Sequence, residues 1–183
     1  MVSSGLKKIG GGRMSETHVM LDLETMARAT NSVMCSIGAV KFTIEDGIFD
    51  KFYCTVDAKD CKKYGLVVEQ GTINWWKDQP KEVLKALLKD NLPLKDALKK
   101  FSMWYGNKSL PTWGNGVAFD NVILRNAYEA AAMVPPWKHW EDRCYRTMKN
   151  IVIVEPPVRE GTLHNALDDA IFQAEHLRLI LGS

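Results

Sequence analysis

The sequence predicts a mixed α/β fold, a β-sheet flanked by α-helices. Three observations carry this. Runs rich in β-branched and aromatic residues occupy 18–56, runs with helically spaced apolar residues occupy 72–106, and a further strand followed by helices fills the chain after 110. Strands, helices, strand and helices in that order suit one sheet with helices packed against it.

At 183 residues and 46% hydrophobic content, the chain is long enough for one sizeable core and short for two. Residues 18–183 therefore read as one domain. Residues 1–17, "MVSSGLKKIGGGRMSET", carry Gly, Ser and Lys without apolar periodicity and read as a flexible extension in which Met14 is a second candidate start.

The first three strands are expected in "HVMLDLETM", "SVMCSIGAVKFT" and "GIFDKFYCTV", with "EDG" as the turn joining the last two into a meander. "TINWWKDQ", "PKEVLKALLKD" and "PLKDALKKFSMWYG" then change to helical spacing, with Pro80 and Pro93 near helix starts. "LPTWGNGVAF" reads as the fourth strand, and "DNVILRNAYEAAAM" as a helix stopped by Pro135 and Pro136. A short helical piece is expected around "DRCYRTMKNIV", a loop through "EPPVREGT", and a last helix in "HNALDDAIFQAEHLRLIL".

A net charge of +2 and a pI near 8.3 are compatible with a nucleic-acid partner but exclude a polybasic binder. The four cysteines form no C-x-x-C pair and have no zinc-site spacing with histidines, so free thiols in a reducing cytoplasm are expected. No apolar run approaches the roughly 20 residues of a membrane helix, and no secretory h-region opens the chain.

The chemistry-bearing residues begin with Asp22 and Glu24, two apart in the apolar run "VMLDLETM". On a strand they project to one face. Buried together they would repel one another unless a cation offsets them; exposed, they are a strand's polar face. Asp120 stands at a strand-to-helix junction, which suits either a helix N-cap or a ligand site at a sheet's C-terminal edge. His164 and Asp169 open the last helix. Five residues apart, they would sit about 140° from one another in a continuous helix, which places His164 at the helix entrance or in the loop before it.

Asp-x-Glu on the first strand, an Asp after a late strand and His-x4-Asp on the last helix resemble, in order, the DEDDh branch of the DnaQ-like 3′-to-5′ exonucleases. The resemblance covers His18 to Leu181. "GTINWWKDQ" and "CYRT" are further similar to the phage and prophage group of DexA and exonuclease VIII-like enzymes, and "SIGAV" to the family's second strand, with Ser36 where the family often has Glu. The resemblance implies a ribonuclease-H-like fold and two Mg²⁺, with Mn²⁺ as substitute, held by Asp22, Glu24, Asp120 and Asp169. An oxygen-rich donor set suits those ions better than zinc. The resemblance also implies His164 as general base.

The implied activity is 3′-to-5′ removal of 5′-mononucleotides, from single-stranded DNA in the first instance and from RNA as the alternative. A non-catalytic nucleic-acid-binding module is the reading from another class. Thr25 and Met26 are expected to present backbone amides to the terminal nucleotide, Asn115 to lie near the site, and Phe119 and Trp76 to offer stacking faces. The Lys residues between 77 and 108 read mostly as a solvated helix face, and several relatives of this type are homodimers.

Overall fold

A computed structural model describes residues 16–183, so the expected flexible extension lies, apart from Glu16 and Thr17, outside the described residues. The chain runs β1 (His18–Thr25), β2 (Met34–Thr43), β3 (Gly47–Thr55), α1 (Ala58–Lys63), α2 (Gln70–Lys77), α3 (Lys81–Leu87) and α4 (Leu94–Tyr105). It continues through β4 (Thr112–Gly114), α5 (Asp120–Ala130), a 3₁₀ turn (His139–Glu141), β5 (Asp142–Cys144), α6 (Tyr145–Ile151) and α7 (Ala166–Gly182).

The five strands form one mixed sheet in the order β3-β2-β1-β4-β5. The meander β1–β2–β3 is antiparallel, whereas β4 pairs parallel to β1 and β5 parallel to β4. The central strand β1 is covered on both sides, and its side chains alternate between two cores. Val19, Leu21 and Leu23 join Ile37, Leu98, Phe101 and Leu124 on the face covered by α4 and α5. Met20 joins Val40, Phe42, Ala170, Ala174 and Leu177 on the face covered by α7. Residue parity therefore assigns Asp22 and Glu24 to the α7 side.

Two local expectations are corrected and one element is added. The fourth strand is only Thr112–Gly114 rather than 110–119, because the chain turns through 115–119 before α5. Asp142–Cys144 forms β5 instead of opening a helix. Its Asp142 accepts hydrogen bonds from Asn121, Trp137 and Arg125, tertiary partners that outweigh the helical pattern of the residues after it. Helix α1 goes unrecognised in the sequence; the Asp57 side chain caps it by accepting from the Lys59 amide at 2.8 Å. All four cysteines are free thiols, and no described helix is long and apolar enough to cross a membrane.

Candidate active site

The site is assembled from β1 and the first turns of α7. Carboxylate oxygens of Asp22, Glu24 and Asp169 lie within 4.8 Å of one another, a spacing that fits a shared cation. Helix α7 can descend this close because residue 38, paired with Asp22 across the β1–β2 ladder, is glycine. A Cβ at Gly38 would lie 2.1 Å from the carbonyl carbon of Ala166. The Asn165 side chain caps α7 by accepting from the Leu167 and Asp168 amides, so the helix begins after His164. Asp168 is half-buried and accepts from the Thr162 amide at 2.8 Å.

Asp120 is the first residue of α5 rather than its cap. Its Oδ1 accepts the Leu23 amide at 3.3 Å, which ties α5 to β1 between Asp22 and Glu24. Asp120 stands outside the close oxygen triad yet near enough for its charge to be felt by both residues. Burial, and then the charges of Asp120, Glu24 and Asp169, push Asp22 well above the usual carboxylate range. Burial and the charges of Asp169 and Asp120 push Glu24 up to about 8, and burial pushes Asp120 up to about 7. Crowded, desolvated carboxylates of this kind bind protons or metal cations. With oxygen donors alone, the residues fit Mg²⁺ or Mn²⁺.

Beside Glu24 opens a cleft of about 520 Å³ lined by Thr25, Arg28, Glu69, Thr72, Trp75 and Phe119, among others. Phe119 is half-buried on its wall. Trp76 also borders the cleft but is only 3% exposed. Its ring packs with Cys35, Val83 and Leu87, and its Nε1 donates to the Thr25 carbonyl at 2.8 Å. No stacking face is left, and the expectation for Trp76 is corrected: Trp75, 42% exposed, is the tryptophan open to a ligand. Met26 is corrected likewise, because its amide donates to Val33 at 2.9 Å and is not free for a phosphate. Asn115 lies in the loop after β4, away from the cleft lining, with its Oδ1 buried and unpartnered among the described residues.

His164 sits in the loop just before α7 with φ of 61°, the left-handed region that His enters more readily than most residues. Its ring meets Trp75 edge-on at 4.8 Å between centroids, so it stands where the cleft approaches α7. Two residues at the site went unread in the sequence. Arg159 pairs with Asp169 and lies 5.0 Å over the Phe172 ring. Gln173 donates from Nε2 to Asp22 Oδ1 at 2.8 Å. Only the four-residue step from Asp169 to Gln173, one helical turn, signals the latter in the sequence.

In comparisons with known proteins, no curated protein sequence matches the chain. Among solved structures, the fold is similar to the zinc-bound form of E. coli exonuclease I with single-stranded DNA, at a TM-score of 0.63 and 13% identity over 92% of this chain and 41% of that one. It is also similar to E. coli exonuclease I in complex with a dT13 oligonucleotide, at 0.62 and 14% identity over 90% of this chain and 41% of the other. The chain thus spans about two-fifths of those chains, and the likeness identifies its sheet and helices as a ribonuclease-H-like fold. The family model described as the 3′-5′ exoribonuclease Rv2179c-like domain matches residues 17–181. With that match spanning both β1 and α7, the chain belongs to the Rv2179c-like 3′-5′ exoribonuclease domain family.

Proposed function

We propose that the chain is a divalent-metal-dependent 3′-to-5′ exoribonuclease that releases 5′-mononucleotides from RNA 3′ ends. The observation that carries this reading is the oxygen triad Asp22, Glu24 and Asp169, with Asp120 beside it, at the edge of an aromatic-walled cleft. The family description favours RNA over the single-stranded DNA expected from the sequence. A closer kinship with phage and prophage enzymes rests on "GTINWWKDQ" and "CYRT" alone.

Asp22, Glu24 and Asp169, with Asp120, would hold two Mg²⁺ or Mn²⁺. Bound there, the ions supply Lewis-acid activation of the attacking water and charge neutralisation at the leaving 3′ oxygen. The protein's own part is to place and deprotonate. Phe119 and Trp75 hold the terminal bases in the cleft, and His164 takes the proton from water as its oxygen attacks phosphorus. The P–O3′ bond breaks, the 3′ oxygen of the shortened strand takes a proton from solvent to become its hydroxyl, and the nucleotide keeps its 5′-phosphate.

Ribo- and deoxyribo-oligonucleotides of one sequence, labelled at the 5′ end, test this with Mg²⁺, with Mn²⁺ and with chelator. A ladder shortening from the 3′ end of RNA, lost in Asp22→Ala and in Asp120→Ala, is expected. Faster shortening of DNA restores the deoxyribonuclease reading, and binding without cleavage in any metal supports a binding module. His164→Ala is expected to lose most of its rate and the low-pH limb of its profile while keeping its metal-induced thermal shift. An unchanged pH profile would assign the base elsewhere.

A further inference from the structure

Across the α7–β1 contact Asp22 accepts from a neutral donor, the Gln173 carboxamide, at 2.8 Å. Asp169 and Gln173 lie about 40° apart around α7 and one turn along it, on one face. The helix therefore offers the acidic triad a carboxylate and, one turn later, a hydrogen-bond donor. The two carboxylates are restrained differently. Arg159 sets a positive charge on Asp169, whereas the Gln173 bond occupies Asp22 Oδ1 and leaves the carboxylate's charge available to a cation.

Packing does not explain a glutamine here. Gln173 is 5% exposed, and its Oε1 is buried with no partner among the described residues. An unpaired buried acceptor forfeits its hydration without a replacement hydrogen bond, a cost that a methionine of similar length would avoid. A polar group kept at that cost beside a triad of carboxylates calls for a role the apolar alternative lacks.

We propose that Gln173 is a positioning residue that fixes the Asp22 carboxylate for divalent-cation binding. The proposal rests on the reading of Asp22 as a metal ligand. Residues that orient a ligand through a hydrogen bond typically change metal affinity by about 10–100-fold when removed. Such a loss is expected here without a change in how the nucleotide itself is held.

The test is the thermal shift of the full chain titrated with Mn²⁺, in parallel with the Mn²⁺ dependence of oligonucleotide cleavage. Gln173→Met is expected to melt in chelator within a few degrees of the parent and to need roughly 10–100-fold more Mn²⁺ for half its thermal shift and half-maximal cleavage. At saturating Mn²⁺ its KM for the oligonucleotide is expected to match the parent's. Gln173→Asn, which keeps the amide but withdraws it by a methylene, carries the same expectation should the methionine variant fail to fold. An Mn²⁺ midpoint equal to the parent's in a folded variant overturns the proposal alone. A parent protein with no Mn²⁺-induced shift overturns the metal reading on which it rests.

Discussion

At the scale of the residue, the two adjacent tryptophans show how burial divides roles between neighbours. Trp76 fastens α2 to the end of β1 through the Thr25 carbonyl and fills the small core with Cys35, Val83 and Leu87. Trp75 faces the cleft and the His164 ring. Trp76→Ala should therefore lower unfolding stability by about 3–5 kcal/mol, the usual range for losing a buried large aromatic, as measured by denaturant titration. Trp75→Ala should stay within about 0.5 kcal/mol of the parent in the same titration. It should instead weaken oligonucleotide binding by the equivalent of about 1–3 kcal/mol, the worth of one base stack. Equal destabilisation by both substitutions would contradict this division. Nothing in "NWWK" states which ring is buried: the difference comes from the Thr25 carbonyl, about 50 residues earlier, which no helical period encodes.

At the scale of the element, the site depends on how closely α7 approaches β1 and β2, and Gly38 sets that distance. A methyl group there meets backbone atoms of Ala166 and Leu167 at 2.1–2.3 Å, and backbone in a capped first turn cannot step aside as a flexible side chain would. Gly38→Ala is expected to cost about 3 kcal/mol, the upper end of ordinary overpacking. In a chain of this size that lowers Tm by roughly 6–12 °C. Gly71, near the start of α2, is the control: a Cβ there meets nothing within 4 Å, and Gly71→Ala should stabilise by about 0.5–1 kcal/mol. A Gly38→Ala protein as stable as the parent would mean that α7 sits farther from the sheet. "SIGAV" displays the strand but not the reason for its glycine, which lies in a helix about 130 residues later. Likewise the long strands β1 to β3 and the amphipathic α4 and α5 are legible from their own periodicity. The three-residue strand β5 is too short to have one, and its register is set by β4 and by the partners of Asp142. The same limit hid Gln173, whose partner Asp22 stands 151 positions away. Asp22, Glu24 and Asp169 were legible because their residue types and order carry the chemistry whatever the register.

At the scale of the whole molecule, the acidic cluster makes global stability depend on pH and on metal together. In the unfolded chain these carboxyls titrate near 4, whereas in the fold Glu24 is raised to about 8, Asp120 to about 7, and Asp22 is raised as well. Between those limits the native protein binds more protons than the unfolded chain, so unfolding free energy falls as pH rises. The stability supplied by the protonated carboxyls is complete in acid, is lost progressively as pH rises above about 4, and is gone once pH has climbed past the folded values of about 7 and 8. His18 works in the opposite sense, because burial lowers its pKa below the ordinary value of 6.5. The protein then gains stability as pH rises toward 6.5, which can mask the carboxylates at lower pH. The informative window is therefore pH 6.5 to 8, set by His18 below and Glu24 above. In chelator, Tm is expected to fall across that window. Saturating Mn²⁺ requires the ionised carboxylates that the metal-free fold disfavours, so its stabilising effect should grow over the same interval and flatten the fall. Differential scanning fluorimetry at fixed ionic strength, with and without Mn²⁺, measures both slopes. A metal-free Tm that is flat or rising from pH 6.5 to 8 would show that the cluster does not carry its extra protons in the native state. Glu24→Gln separates the two contributions: in chelator it should remove part of the fall by taking away the group that titrates near 8, and in Mn²⁺ it should lose most of the metal-induced stabilisation by taking away a ligand. Both effects in one variant would tie the proton sites and the metal site to the same carboxylate.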